Sequence, residues 1–121
     1  MTVVMSAVTA LLGLLLVGAV SVGGVLIART QAIVAADAAA LAAAVATHPD
    51  TGRLSPVQEA RRVAGANGAQ LVACECPVNA SLGVREVTVT VAIDIDVPIF
   101  GSLRLHGRSR AEFDPMAWLG R

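Results

Sequence analysis

The order of apolar and polar residues divides this chain into unlike stretches. From Met1 to Ala28 there is no charged side chain, and Arg29 is the first. Leu11, Leu12, Leu14, Leu15, Leu16, Val17, Val20, Val22, Val25, Leu26 and Ile27 fill the run. A helix needs about 20 mostly apolar residues to cross a hydrocarbon core about 30 Å thick. Leu, Ile and Val each favour insertion by roughly 0.3–0.6 kcal/mol near the helix centre. The pattern predicts one transmembrane helix over residues 1–28. The competing reading is a cleaved secretory signal, with a basic start and an apolar stretch of about 7–15 residues before a small-residue cleavage site. No Lys or Arg precedes this run and the run is longer than that, so an uncleaved anchor is expected. Small-residue sites do follow in the Ala-rich stretch after Val34.

The helical pattern continues past the apolar run. Arg29 to Ala46 contains neither Gly nor Pro, and Ala, the best helix former, dominates it. A continuous helix from the start to Ala46 would be roughly 70 Å long at 1.5 Å per residue. Small residues recur at i+4 through Gly24, Ala28, Ala32, Ala36, Ala40 and Ala44. Such a row lets a second backbone approach closely, and plain alanine richness explains it equally well. His48-Pro49-Asp50-Thr51-Gly52 should end the helix, because Pro disfavours helical geometry in the residue before it and Gly52 marks a turn. A short second helix then starts at Ser55, a good N-cap with Pro56 behind it and Gln58 at the capping-box position. It should stop between Gly65 and Gly68, where Asn67-Gly68 breaks it.

Three strands are expected beyond it. The first covers Ala69 to Cys76. In the second, Val87, Val89, Val91, Ile93, Ile95 and Val97 alternate with Thr88, Thr90, Ala92, Asp94 and Asp96. That period of two gives one buried face and one wet face. In the third, Leu103, Leu105, Gly107, Ser109, Ala111 and Phe113 alternate with Arg104, His106, Arg108, Arg110 and Glu112. A hairpin around Pro98-Ile99-Phe100-Gly101-Ser102 is expected to set Val97 opposite Leu103, Ile95 opposite Leu105 and Val87 opposite Phe113. On the polar face Asp96 would then meet Arg104, and Asp94 would meet His106. The expected fold class is α+β. A transmembrane helix (1–28) runs into an Ala-rich helical extension (29–47). A small α+β domain with a three-stranded antiparallel sheet (55–114) and a C-terminal tail (115–121) follow. The Ala-rich helix is the nearest cover for the sheet's apolar face.

Composition adds little to this picture. The chain has 121 residues and a formal net charge of zero, so no strong attraction to polyanions or charged membrane surfaces is implied. The aromatic residues are Phe100, Phe113 and Trp118, which leaves Val, Ile, Leu and Ala to build the core. Every basic side chain is Arg, and with the abundance of Ala, Gly and Val this points to a GC-rich bacterial genome.

No constellation of reactive residues stands out. In Cys74-Glu75-Cys76 the two thiols point to the same side of a strand. They cannot complete a four-ligand zinc site, and His48 and His106 lie far away in sequence. A bond between residues two apart would be strained, so two small apolar residues are the favoured reading; a disulfide formed outside the cytoplasm, including one between chains, and a metal or redox role are the alternatives. Asp94 and Asp96 beside arginines on an exposed face read as solvated ion-pair partners rather than an acid/base pair. Asp37 is the only acidic residue in the helix before Ala46; it marks a wet face or pairs with another subunit. Asn79-Ala80-Ser81 matches a glycosylation acceptor by chance in a bacterial chain. No catalytic residue, cofactor site or metal site is expected, nor a nucleic-acid partner or small-molecule substrate.

The run Arg29-Thr-Gln-Ala-Ile-Val-Ala-Ala-Asp-Ala-Ala-Ala-Leu-Ala-Ala-Ala after a membrane-spanning helix resembles the TadE/TadG family. So do Ala66-Asn67-Gly68 before a strand and Val97-Pro98-Ile99-Phe100-Gly101 before a final alternating strand. The order of these segments is most similar to short TadE-like proteins of actinobacteria. The resemblance implies a pseudopilin-like structural component of a tight-adherence (Flp-type) pilus assembly or secretion apparatus. It would be a single-pass cell-membrane protein with its C-terminal domain outside the cytoplasm. Its partners would be other pilus or secretion components, or further copies met through the N-terminal helix. The family's prepilin cleavage site, followed by Glu at the fifth mature position, has no counterpart, because Met1 to Ala28 holds no Glu. The alternative function is a small binding domain secreted after signal cleavage.

Overall fold

The computed structural model describes residues 1–48 and 54–120. It has the α+β architecture expected from the pattern. Helix α1 (Thr2–Ala46) is unbroken over 45 residues, about 67 Å at 1.5 Å per residue. It ends at Thr47, whose backbone N–H and hydroxyl both donate to the Ala44 carbonyl. Most of the expected His48–Gly52 stop lies outside the described residues. Helix α2 (Pro56–Ala66) begins with the capping box: the Ser55 hydroxyl accepts from the Gln58 N–H, and the Gln58 side chain accepts from the Ser55 N–H. Both ends of the expected pair are therefore satisfied.

Strands β1 (Gln70–Glu75), β2 (Arg85–Val97) and β3 (Gly101–Phe113) form an antiparallel sheet in the order β1-β2-β3. The extension of α1 lies across one face of β2 and β3, with α2 packed beside it and reaching β1. The core between them is formed by Val87, Val89, Val91, Ile93, Ala111 and Phe113 from the sheet and by alanines from the helices. From Ala28 to Ala46 every buried residue of α1 is alanine. The sheet supplies the bulk, and the alanine stripe lets the helix backbone settle close to it.

That closeness is greatest at Gly107 on β3. A Cβ built there would overlap the Ala32 carbonyl of α1. The alternating pattern puts Gly107 among the inward positions. What the position requires is the absence of a side chain, the usual meaning of glycine inside a strand.

The hairpin register differs from the expected one by two residues. Ile95 pairs with Leu103, Ile93 with Leu105 and Val97 with Gly101, and Phe113 pairs with Arg85 instead of Val87. The cause is a shorter turn. Pro98, Ile99 and Phe100 alone connect the strands, closed by a hydrogen bond from the Phe100 N–H to the Val97 carbonyl. Ile99 at φ 76° and Gly101 at φ 81° supply the reversal. Proline followed by a positive φ is the type II arrangement. A shift of two preserves side-chain parity, so both faces keep the composition the pattern assigned them. The polar contacts do change: Asp94 faces Arg104, Asp96 faces Ser102, and His106 faces Ala92.

Strand β1 departs from strict alternation. A register break between Leu71 and Ala73 leaves Val72 unpaired, so Leu71 and Cys74 lie opposite Val91 and Val89. Both are half-buried against the core although they are three apart. A bulge switches faces in this way. At the other end, the expected tail contains a single helical turn, α3 (Pro115–Leu119). The Asp114 side chain caps it by accepting from the Met116 and Ala117 N–H groups.

Candidate functional site

Two surfaces stand out, one apolar and one polar. The apolar one begins with α1 itself. Every residue from Met1 to Val20 is exposed, a length of roughly 30 Å that matches the hydrocarbon thickness of a bilayer. The helix is long and apolar enough to cross a membrane. Contact with the rest of the chain starts at Ser21 and becomes regular from Ala28. Between those residues the hairpin tip lies beside the helix. Ser21, Val22, Val25 and Leu26 form one wall of a groove, and Val97, Phe100, Ser102 and Leu103 form the other.

The small-residue row is only partly a packing surface. Ala28, Ala32, Ala36 and Ala40 are buried, and they contact this chain's own sheet and second helix. Gly24 does not belong with them; it is exposed. An i+4 row advances about 40° per step around a 3.6-residue helix, so Gly24 has turned about 120° from Ala36. The buried alanines at 32, 35, 36, 39, 40 and 43 follow mixed steps of three and four. Such steps hold one stripe toward a neighbour.

The polar surface is the outer face of the sheet. Arg104 pairs with Asp94 at 3.8 Å and donates to the Gln70 side chain on β1. Arg110 pairs diagonally with Glu86. Thr88, Arg108 and Glu75 line a shallow depression beside them. These groups are distributed over an open face and do not converge. Their pairs are half-exposed, where an ion pair is worth little. On α2 the Arg62 guanidinium closes onto Glu59 and holds that carboxyl below its ordinary value, hydrogen bonding being the main cause. Asp37 is exposed on α1, and His106 is exposed on β3.

Cys74 and Cys76 are joined as a disulfide across one intervening residue, with Cα atoms 5.3 Å apart. Both are half-buried against the core beneath β2. Among the described residues, no group of three His, Cys, Asp or Glu side chains could hold a metal ion.

Arg85 is a placed residue that the sequence pattern does not announce. It starts β2 two residues before the visible alternation, and only 6% of it is exposed. Its guanidinium donates to the Thr47 hydroxyl at 3.4 Å and to the Ser81 carbonyl. It thus ties the far end of α1 to the β1–β2 connection. Ser81 is placed by an Asx turn, its N–H donating to the Asn79 side chain. Nothing in the pattern marks Arg85 as different from the exposed arginines of β3. The hairpin tip is likewise marked in the sequence only as a turn. Its signal was the apolar pair Ile99-Phe100 at a position where turn chemistry favours Gly or Asn.

Comparison with protein-family models, with characterised proteins and with solved structures finds no match to this chain.

Proposed function

We propose that the protein is a non-enzymatic, single-pass membrane component of an envelope assembly, TadE-like, serving a pilus or secretion apparatus. Its domain lies outside the cytoplasm. The observation that carries the reading is that a single helix plays two parts. Residues 1–20 of α1 are exposed and apolar over a bilayer's thickness, and residues 28–46 of the same helix form one wall of the domain core. Anchor and domain share one unbroken helix, which suits a part whose task is to hold a surface above a membrane. The outer face of the sheet, with its spread of paired charges, is the docking surface for other components. The resemblance of the Ala-rich segment and the two strand-leading motifs to TadE-like proteins supports the pilus or secretion setting.

Release after signal cleavage is the weaker reading. A cut at the far end of the alanine tract, after residue 39, would remove Ala32, Ala35, Ala36 and Ala39, which cover the sheet's apolar face; a cut near residue 28 would leave them in place. The test uses native cells. Carbonate-washed membranes should retain the chain, with its N-terminal residues intact by sequencing. Protease added to spheroplasts should digest the domain, and deleting the gene should abolish pili or secretion. A soluble product starting in the alanine tract would overturn the anchor, and normal piliation and secretion in the deletion strain would overturn the role.

A further inference from the structure

We propose that Ile99 and Phe100 of the hairpin tip enter the bilayer interface beside α1, so that the domain grips the lipid surface at two points. The inference rests on the membrane-anchored reading of α1 and adds a lipid-binding site in the domain.

Depth is the first argument. The tip lies beside Val22, Val25 and Leu26 of α1, which precede the first charged side chain, Arg29. At 1.5 Å per residue, that places the tip roughly 5–10 Å below Arg29 along the helix axis. Amphipathic segments that lie in a membrane surface bury their apolar side to about that depth, at the boundary of headgroups and acyl chains. The fully exposed stretch of α1 below residue 21 already fills a hydrocarbon core. The tip therefore falls at the interface of the same leaflet and not in open water.

Chemistry is the second argument. Val97 to Leu103 carries no charge, while Asp96 and Arg104 stand immediately outside it. Ile99 is 85% exposed and Phe100 is 82% exposed. Phe100 lines the groove shared with Val22, Val25 and Leu26 of α1, whose polar members are the uncharged Ser21 and Ser102.

The backbone is the third. Among the described residues, Ile99 is the non-glycine residue with positive φ, at 76°. A β-branched residue is a genuine outlier there, and glycine or asparagine would fit the same turn at lower cost. The chain thus accepts local strain to present a large apolar side chain to the outside. Strain of this sort collects at functional positions. In water the same residue would be disfavoured by its conformation and by its exposure; at a lipid interface the exposure becomes burial.

The test uses the full chain in liposomes, with Trp118→Phe as background and one new tryptophan at a time. Phe100→Trp reports the tip, Leu11→Trp the anchor and Leu82→Trp the domain's exposed β1–β2 connection. The expected result is a blue-shifted Phe100→Trp emission that is strongly quenched by lipids brominated near the headgroup and protected from aqueous iodide. Leu11→Trp should respond to lipids brominated deep in the acyl chain, and Leu82→Trp to iodide alone. If Leu11→Trp responds as expected while Phe100→Trp is quenched by iodide and not by brominated lipid, the tip contact is wrong and the anchor stands. If Phe100→Trp is shielded from both quenchers, another protein surface covers the tip, and the lipid contact is again wrong. If Leu11→Trp shows no lipid quenching, the anchor falls and the tip contact falls with it.

Discussion

Gly107 of β3 rests directly on the backbone of Ala32 in α1, with no room for even a methyl group between them. The contact fixes how closely the helix and sheet approach, and it joins the long N-terminal helix to an edge strand. Gly107→Ala should force the two apart. Overpacking in a close-packed core costs about 1–3 kcal/mol, so the urea midpoint of the solubilised full chain should fall. The sheet's amide I infrared band would follow it. An unchanged midpoint would mean that helix and sheet are not in register as described.

The alanine stripe gives a matching pair of substitutions. Ala36 and Ala39 are fully buried, whereas Leu41 is 62% exposed. Ala39→Leu should lower stability by about 1–3 kcal/mol. Leu41→Ala should stay within about 0.5 kcal/mol of the parent. If Ala39→Leu is neutral while Leu41→Ala is costly, the opposite face of α1 covers the sheet.

Ser55 caps α2 through a reciprocal pair with Gln58. Ser55→Ala removes one acceptor from an orphan backbone N–H and should cost about 1 kcal/mol. Hydrogen exchange at the first turn of α2 should quicken before exchange in β2 does. Equal protection in Ser55→Ala and the parent would argue against the cap.

The register can be read without a structure. Paired cysteines at Ile95 and Leu103, in a background with Cys74 and Cys76 replaced, should cross-link readily. A pair at Ile95 and Leu105, the register that the alternation alone suggests, should not. Preferential linking of the second pair would restore the five-residue loop.

The cysteines make a last prediction. Cys74 and Cys76 should resist alkylation in the purified, unreduced chain and react fully after reduction and denaturation. Alkylation of denatured but unreduced protein would show free thiols.

Where a side chain's period decided the outcome, the sequence was readable. The alternation of Val87 to Val97 fixed which face of β2 is buried, and Ser55-Pro56 marked the start of α2 within a residue. The features it hid depend on distance or backbone torsion, which no period encodes. The turn shortened because Ile99 adopts a positive φ. The bulge at Val72 changed faces without any glycine or proline to announce it. Arg85 is buried because the end of α1 and the Ser81 carbonyl meet around it, a conjunction of segments far apart in the chain. Gly24 looked like a member of the alanine row because a repeat of four reads as a straight line on paper and as a spiral on a helix.

If α1 spans a bilayer as proposed, its unbroken run from the bare lower half to the covered upper half passes a reorientation on to the domain, less any bend at the Gly23-Gly24 pair where the two halves meet. A tilt of about 10° would carry the far end of a 45-residue helix sideways by roughly 12 Å. The outer sheet face would swing with it, like a flag on a tilting mast.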